Sequence, residues 1–273
     1  MDKESFIISQ FQNRFIGDDG AVIGKWVYSK DIFAQDIHFK KEWLTLSQIA
    51  KKAMLVNISD AIAMNAKPKY ALLGVIVPKD FSFFQIEELT RSFVKIAKQY
   101  DIKIIGGDTA SGDKLIICVT IISSKRKYTL RRIGLKKGDL LAYTGNLGES
   151  LKDLNKLFKG EKISEKSRFI EPVLREEFIK KTAKYLRCGL DISDSLSKDL
   201  SRICILSNLG VEFLKDFTKD ELCSGEEYEM LVAFDPKYKD KILQIAKRTD
   251  TPVNIFARAK DGQYKSVCKE HHF

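Results

Sequence analysis

Apolar positions along this chain switch repeatedly between a helical period and the short runs of buried strands. Over residues 45–64, Leu46, Ile49, Ala53, Val56 and Ala63 recur on one side of a helix, and Thr45 with Gln48 has capping-box spacing. A nearly continuous apolar run over 70–77, closed by Pro78, predicts a strand. Ser82 and Gln85 then open a second helix reaching about residue 100. A strand over 102–105 ends in Gly106-Gly107-Asp108-Thr109, and another is expected over 114–123. Ahead of these lie an amphipathic segment over 6–15, the turn Gly17-Asp18-Asp19-Gly20, the β-rich run Trp26-Val27-Tyr28 and a strand carrying Asp31.

The second half repeats the alternation. A strand over 139–144 meets the turn Gly145-Asn146-Leu147-Gly148, and helices follow at about 149–158 and 172–187. The next helix, over 191–207, carries the stripe Leu196, Leu200, Ile203 and Leu206. A short strand near Val211, a strand ending at Phe234, a helix near 237–248 and a strand over 253–257 close the chain. No period of 20 to 50 residues repeats, which excludes solenoids. The pattern is α/β (α+β), with one domain over 1–137 and a second α/β domain over 138–273.

Composition adjusts this picture little. A chain of 273 residues, 44% of them apolar, suits two ordinary domains. No segment has the roughly 18 uninterrupted apolar residues of a membrane span, and a soluble, cytoplasmic protein is expected. Cysteines at 118, 188, 204, 223 and 268 form no two-cysteine metal knuckle and are expected to be reduced. The net charge of +10 comes mostly from lysines spaced singly along helices. One denser cluster, Lys125, Arg126, Lys127, Arg131, Arg132, Lys136 and Lys137, suits nucleotide phosphates or RNA alike. Nucleic acid is not the expected partner.

The chemistry lies in aspartates at element ends. Asp191-Ile192-Ser193-Asp194 precedes a helix, so its carboxylates either cap that helix or hold an ion. Asp18 and Asp19 sit between glycines, in a plain hairpin turn or a turn that brings charge to a ligand. Asp60 falls on the apolar stripe of the 45–64 helix. An ionised carboxylate facing a core costs several kcal/mol without a compensating cation or strong donors, unless the helix ends near Asn57 and Asp60 belongs to a loop. Asp108, after two glycines, can bind a metal or cap a turn. No Walker loop, Gly-x-Gly-x-x-Gly fingerprint or Gly-x-Ser-x-Gly elbow occurs, and there are only three histidines. Hard oxygen ligands without His or Cys select Mg²⁺, typically alongside nucleotide phosphates.

Six ordered motifs together resemble the thiamine-monophosphate kinase family. They are Gly17-Asp18-Asp19-Gly20-Ala21-Val22, the Asp31 strand followed by His38-Phe39, Val56-Asn57-Ile58-Ser59-Asp60 with Ala63-Met64-Asn65-Ala66-Lys67-Pro68, Gly106-Gly107-Asp108-Thr109, Asp191-Ile192-Ser193-Asp194 and Ser224-Gly225-Glu226-Glu227-Tyr228-Glu229. The resemblance covers almost the whole chain. It implies a two-domain aminoimidazole ribonucleotide synthetase-like fold, with an N-terminal mixed sheet that pairs with a second subunit's into a barrel, and a homodimer. It implies several Mg²⁺ ions at Asp18, Ser29, Lys30, Asp31, Asp60, Asp108, Asp191 and Asp194. ATP is implied at Tyr100, Gly107, Asp108, Arg132 and Ser193, and substrate at His38 and Glu226. Asp60, Asp108 and Asp191 are the implied catalytic positions.

The implied reaction moves the ATP γ-phosphoryl directly onto thiamine monophosphate. Alternatives are another ATP-using member of that superfamily, such as aminoimidazole ribonucleotide synthetase, or a non-catalytic nucleotide- or RNA-binding protein. The chain departs from the family pattern in places. Ser195 and Asn65 stand where the family has glycine, and Lys30 where it has a small hydroxyl residue. The segment between Gly210 and Ser224 is short, and Glu270 replaces a C-terminal aromatic expected to stack on substrate.

Overall fold

The computed structural model describes residues 3–11 and 13–269. Among them, ten strands form two five-stranded sheets. The first sheet contains β1 (Ala21–Ile23), β2 (Trp26–Ala34), β3 (Ala66–Pro78), β4 (Lys103–Gly112) and β5 (Ile116–Lys125), in the order β1-β2-β5-β3-β4. Only the β3–β4 pair in it is parallel, joined through α3 (Phe83–Gln99). The second sheet is antiparallel throughout. It contains β6 (Leu140–Thr144), β7 (Leu186–Asp191), β8 (Gly210–Phe213), β9 (Met230–Phe234) and β10 (Val253–Lys260), in the order β7-β9-β6-β10-β8. No strand or helix occupies the basic stretch between Lys125 and Leu140.

The element that ties the halves together is α2 (Leu46–Ala63). Thr45 accepts from the Gln48 amide and Gln48 reaches back to the Thr45 amide, so both ends of the expected capping box form. The helix passes Asn57 without breaking, which places Asp60 in its last turn. It is buried nearly all round because sheets lie on both sides. Ile49, Ala53 and Ile58 belong to one apolar cluster that takes in Ile117, Val119 and Ile121 of β5 and also Phe178, Met230 and Val232 from the second half. At its exit, Asn65 turns the chain at φ 50°, a left-handed conformation asparagine tolerates, and its Nδ2 donates to Tyr128 O at 2.6 Å. That accounts for asparagine at a family glycine.

Several elements differ from the sequence reading. Gly106-Gly107-Asp108-Thr109 does not end a strand but lies inside β4, which runs on to Gly112 along β3. Gly107 sits opposite Leu73 at φ +154°, where a Cβ would come 1.8 Å from the Leu73 carbonyl oxygen, so the parallel pairing itself demands glycine. The expected 172–187 helix is shorter: α5 (Glu176–Thr182) gives way to a 3-10 turn at Ala183–Tyr185 and then to β7, buried between β9 and the helices. In α6 (Leu196–Ser207), Leu196, Leu200 and Ile203 are buried but Leu206 is exposed, because Asn208 ends the helix at φ 51°. The N-terminal helix α1 (Lys3–Ser9) leaves Phe6, Ile7 and Ile8 exposed.

The cysteines also depart from expectation. Cys223, ending α7 (Lys219–Cys223), is bonded to Cys268 across a Cα separation of 5.5 Å, while Cys118, Cys188 and Cys204 are free. The spacing of 45 residues hid this pair, which the fold brings together beneath the C-terminal segment. No helix among the described residues is long and apolar enough to cross a membrane. Glu270, His271, His272 and Phe273 lie outside the described residues.

Candidate active site

Two cavities meet where α2, β2 and the segment between β7 and α6 converge. One, of about 400 Å³, is lined by Asp18, Asp19, Lys30, Asp31, Asp60 and Arg132, with Ile8 and Ile16 at its rim. The other, of about 320 Å³, is walled by Trp43, Phe158, Phe169, Leu151 and Leu154. His38, Ser193, Asp194 and Glu226 line both. A polyanion suits the first with cations present, and a flat apolar ring suits the second.

Asp19, Asp60 and Asp191 bring carboxylate oxygens within 4.8 Å of one another. Each arrives from a separate element: the turn before β1, the last turn of α2, and the end of β7. Burial pushes the Asp60 carboxyl well above its ordinary range, and Asp31 and Asp191 push it further. Asp191 rises for the same reasons, burial first and then Asp19, against a hydrogen bond donated by Ser59. Asp19 rises less because Arg132 forks onto its Oδ1 at 2.9 Å and 2.5 Å, and its Oδ2 is buried with no hydrogen-bond partner. Three converging carboxylates, one of them with an orphaned buried oxygen, form the donor set a hard divalent cation takes.

The expected residues distribute unevenly around this cluster. Asp18 is turned away: its carboxylate accepts from Arg131 Nη1 at 3.0 Å and from the Arg132 amide at 2.9 Å, and the second aspartate of the pair enters the cluster instead. The sequence offers both aspartates at this turn, and their different partners, Arg131 with the Arg132 amide for Asp18 and the Arg132 guanidinium for Asp19, accompany the difference in which one points inward. Asp31 lines the cavity, its amide held by Asn57 Oδ1 at 2.7 Å. Ser29 is buried against the Asn57 carbonyl, and the Lys30 side chain is exposed. Asp194 is paired with Arg202, which also holds buried Asp199 at 2.5 Å. Ser195 is extended at φ 164° and caps α6 by accepting from the Lys198 amide, so no glycine is required there.

Tyr100, Gly107 and Asp108 are not part of the cluster. Asp31 pairs with Val119, Val119 with Leu73, and Leu73 with Gly107, so three strand spacings of about 4.8 Å, roughly 14 Å, separate Asp31 from the Gly107-Asp108 step. Asp108 is exposed on the edge strand, and Tyr100 ends α3 half-buried, its hydroxyl pushed up to about 12 by burial and by Glu176 and Glu171.

On the apolar side, His38 Nδ1 accepts from the Ala34 amide at 3.1 Å, which leaves Nε2 to carry the proton in the neutral ring. Glu226 adopts φ 56°, and its amide donates to Ser193 O at 2.6 Å, so the Ser224–Glu229 segment is pinned against the Asp191–Asp194 segment. Sequence reasoning missed three polar supports here. Glu227 accepts from the Gly148 and Ser150 amides and from Ser224, fixing the start of α4 (Glu149–Phe158), and burial raises its carboxyl to about 7. Glu229 is fully buried between Arg168 and Arg175. Lys52, fully buried on α2, bonds Glu226. The signal for Lys52 was its position on the apolar stripe, three residues after Ile49 and four before Val56.

A family model described as AIR synthase related protein, N-terminal domain, matches residues 17–124. The thiamine-monophosphate kinase of Buchnera aphidicola subsp. Schizaphis graminum is 32% identical over 259 residues, covering 85% of this chain and 80% of that protein. That of Pyrococcus abyssi is 31% identical, covering 89% and 85%. Among solved structures, AaThiL complexed with AMPPCP and TMP superposes with a TM-score of 0.86 at 22% identity, covering 99% of this chain and 96% of that one. A HypE-HypF complex gives 0.79 at 20% identity, covering 95% and 93%.

Proposed function

Because this chain belongs to the thiamine-monophosphate kinase family, we propose that it transfers the γ-phosphoryl group of ATP to thiamine monophosphate, giving thiamine diphosphate and ADP. The observation that carries the reading is the adjoining pair of cavities, one carboxylate-lined and one aromatic, that share His38, Ser193, Asp194 and Glu226. A donor triphosphate in the first and the acceptor's rings in the second would present the acceptor phosphate to the γ-phosphorus at the shared wall. The acceptor oxygen is already anionic, so no side chain has to remove a proton. The chain's task is to align two mutually repelling phosphates.

Asp19, Asp60 and Asp191, with Asp31 and Asp194 beside them, would hold Mg²⁺. Bound there, Mg²⁺ supplies neutralisation of phosphate charge and a template for in-line displacement. Arg132 keeps Asp19 in place and stands at the cavity wall, where its guanidinium can also meet phosphate oxygens. Trp43 and Phe158, edge to face at 5.0 Å, offer a wall for the pyrimidine and thiazolium rings.

The active form in this reading is a homodimer. Gly107 and Asp108 stand on the exposed β4 edge, about 14 Å from Asp31 across the sheet, and Tyr100 ends α3 just before that strand, whereas Arg132 and Ser193 line the carboxylate cavity. One nucleotide reaches both sets if the β4 edge of a second copy closes over the first, which also covers an otherwise unpaired strand edge. ADP formation is the test: it should require thiamine monophosphate and yield thiamine diphosphate in equal amount. ADP release that ignores thiamine monophosphate, or that requires formylglycinamidine ribonucleotide, would overturn the assignment.

A further inference from the structure

A lysine with no exposed surface sits on the helix that joins the two sheets. Lys52 is fully buried, and an unpaired ammonium there would cost several kcal/mol in lost hydration. Its Nζ donates to Glu226 Oε2 at 2.8 Å, across 174 residues of sequence. The rest of its surroundings are aromatic faces, Phe169 at 3.8 Å from Nζ to ring centroid and Phe33 at 5.6 Å. Phe169 walls the apolar cavity and Phe33 lines the carboxylate cavity, so the ammonium stands behind the partition between them.

Glu226 is held unusually for an acidic residue. Its backbone is left-handed at φ 56°, its amide is fixed to Ser193 O, and one carboxylate oxygen is taken by Lys52. The other, Oε1, is buried and makes no hydrogen bond. Rotation of the carboxylate to satisfy Oε1 elsewhere would break the Lys52 contact and leave the ammonium unpaired. The lysine therefore sets the direction in which Oε1 can accept. On the reading of Glu226 as an acceptor contact, we infer that Lys52 is a positioning residue for the phosphoryl acceptor, acting through Glu226 to aim Oε1 at an N–H donor or cationic ring of the substrate.

A buried lysine that only docks the two halves would affect all functions of the site together. A positioning lysine affects one substrate, and only while Glu226 is a carboxylate. Lys52→Met should raise the acceptor KM about 10-fold or more and leave the ATP KM within about two-fold. Made in a Glu226→Gln background, the same change should move the acceptor KM less than about two-fold, because the group it orients is already altered. An equal acceptor effect in both backgrounds, or parallel rises in both Michaelis constants, overturns the inference. If Lys52→Met does not fold, Lys52→Arg in the same two backgrounds is read by the same criteria, since the larger fork cannot reproduce the Nζ contact. Failure of the functional reading looks different: the unmutated enzyme would then form no thiamine diphosphate.

Discussion

Neutralising Asp60 should make the metal-free protein more stable and the enzyme less active, as expected where mutually repelling carboxylates are held together for a cation. The oxygens of Asp19, Asp60 and Asp191 lie within 4.8 Å of one another. Two full charges at that distance repel by about 3.5 kcal/mol at an effective dielectric constant of about 20. Arg132 offsets part of this at Asp19, and the raised carboxyls of Asp60 and Asp191 take up protons to relieve more. A net relief of about 1–2 kcal/mol is therefore expected for Asp60→Asn in chelator, raising Tm by about 2–8 °C. Saturating Mg²⁺ reverses the order, because the unmutated protein gains about 3 kcal/mol at a concentration near 100 times Kd and the variant gains little. Turnover should fall on the order of 10²-fold or more.

The pH dependence has a fixed sign. Asp60 and Asp191 bind protons more tightly folded than unfolded, so without metal their contribution to stability is fully present below their unfolded value of about 3.8 and is lost as pH rises through the folded one. Mg²⁺ should abolish that loss. Differential scanning fluorimetry at several pH values, with EDTA or Mg²⁺, measures all of this. An Asp60→Asn protein that melts lower than the original in EDTA, yet gains as much from Mg²⁺, would refute the reasoning.

Three further outcomes follow from other parts of the molecule. Glu227, raised from 4.5 to about 7 by burial, contributes up to about 3 kcal/mol that is present below about pH 4.5 and lost as pH rises through 7; Glu227→Gln should flatten that portion of a urea-denaturation pH profile. Reducing Cys223–Cys268 opens a loop of 45 residues and should cost up to about 4 kcal/mol in unfolding free energy, with no such loss on adding reductant to Cys223→Ser. If one site draws on Asp108 of a second copy, Asp60→Asn and Asp108→Asn proteins, each inactive alone, should recover activity when their subunits are mixed and exchanged. Mixtures that stay inactive after verified exchange would place both residues on one chain's site.

Much of this architecture was legible because it rests on local patterns. The capping boxes at Thr45 and Ser82, and the apolar stripe of α2, are fixed by residues three and four apart. Asp60 was legible as a charge on an apolar face, and Asp191 as a carboxylate at an element end. What escaped depends on distant pairings. Strand β7 is a strand because β9 lies beside it, and Gly106-Gly107-Asp108-Thr109 continues as strand because β3 runs parallel to it. Asp18 and Asp19 are equivalent in sequence, and only the fold's placement of Arg131 and Arg132 separates their roles. Lys52 and Glu226 are 174 residues apart, and their pairing exists only once both sheets have closed on α2.

The most direct test of direct transfer between the two cavities follows the label from [γ-³²P]ATP in a single turnover with thiamine monophosphate. Radioactivity should pass into thiamine diphosphate as ATP is consumed, with none retained on the protein and little released as inorganic phosphate. Label that accumulates on the protein, or appears as inorganic phosphate at the same rate whether or not thiamine monophosphate is present, would contradict direct transfer.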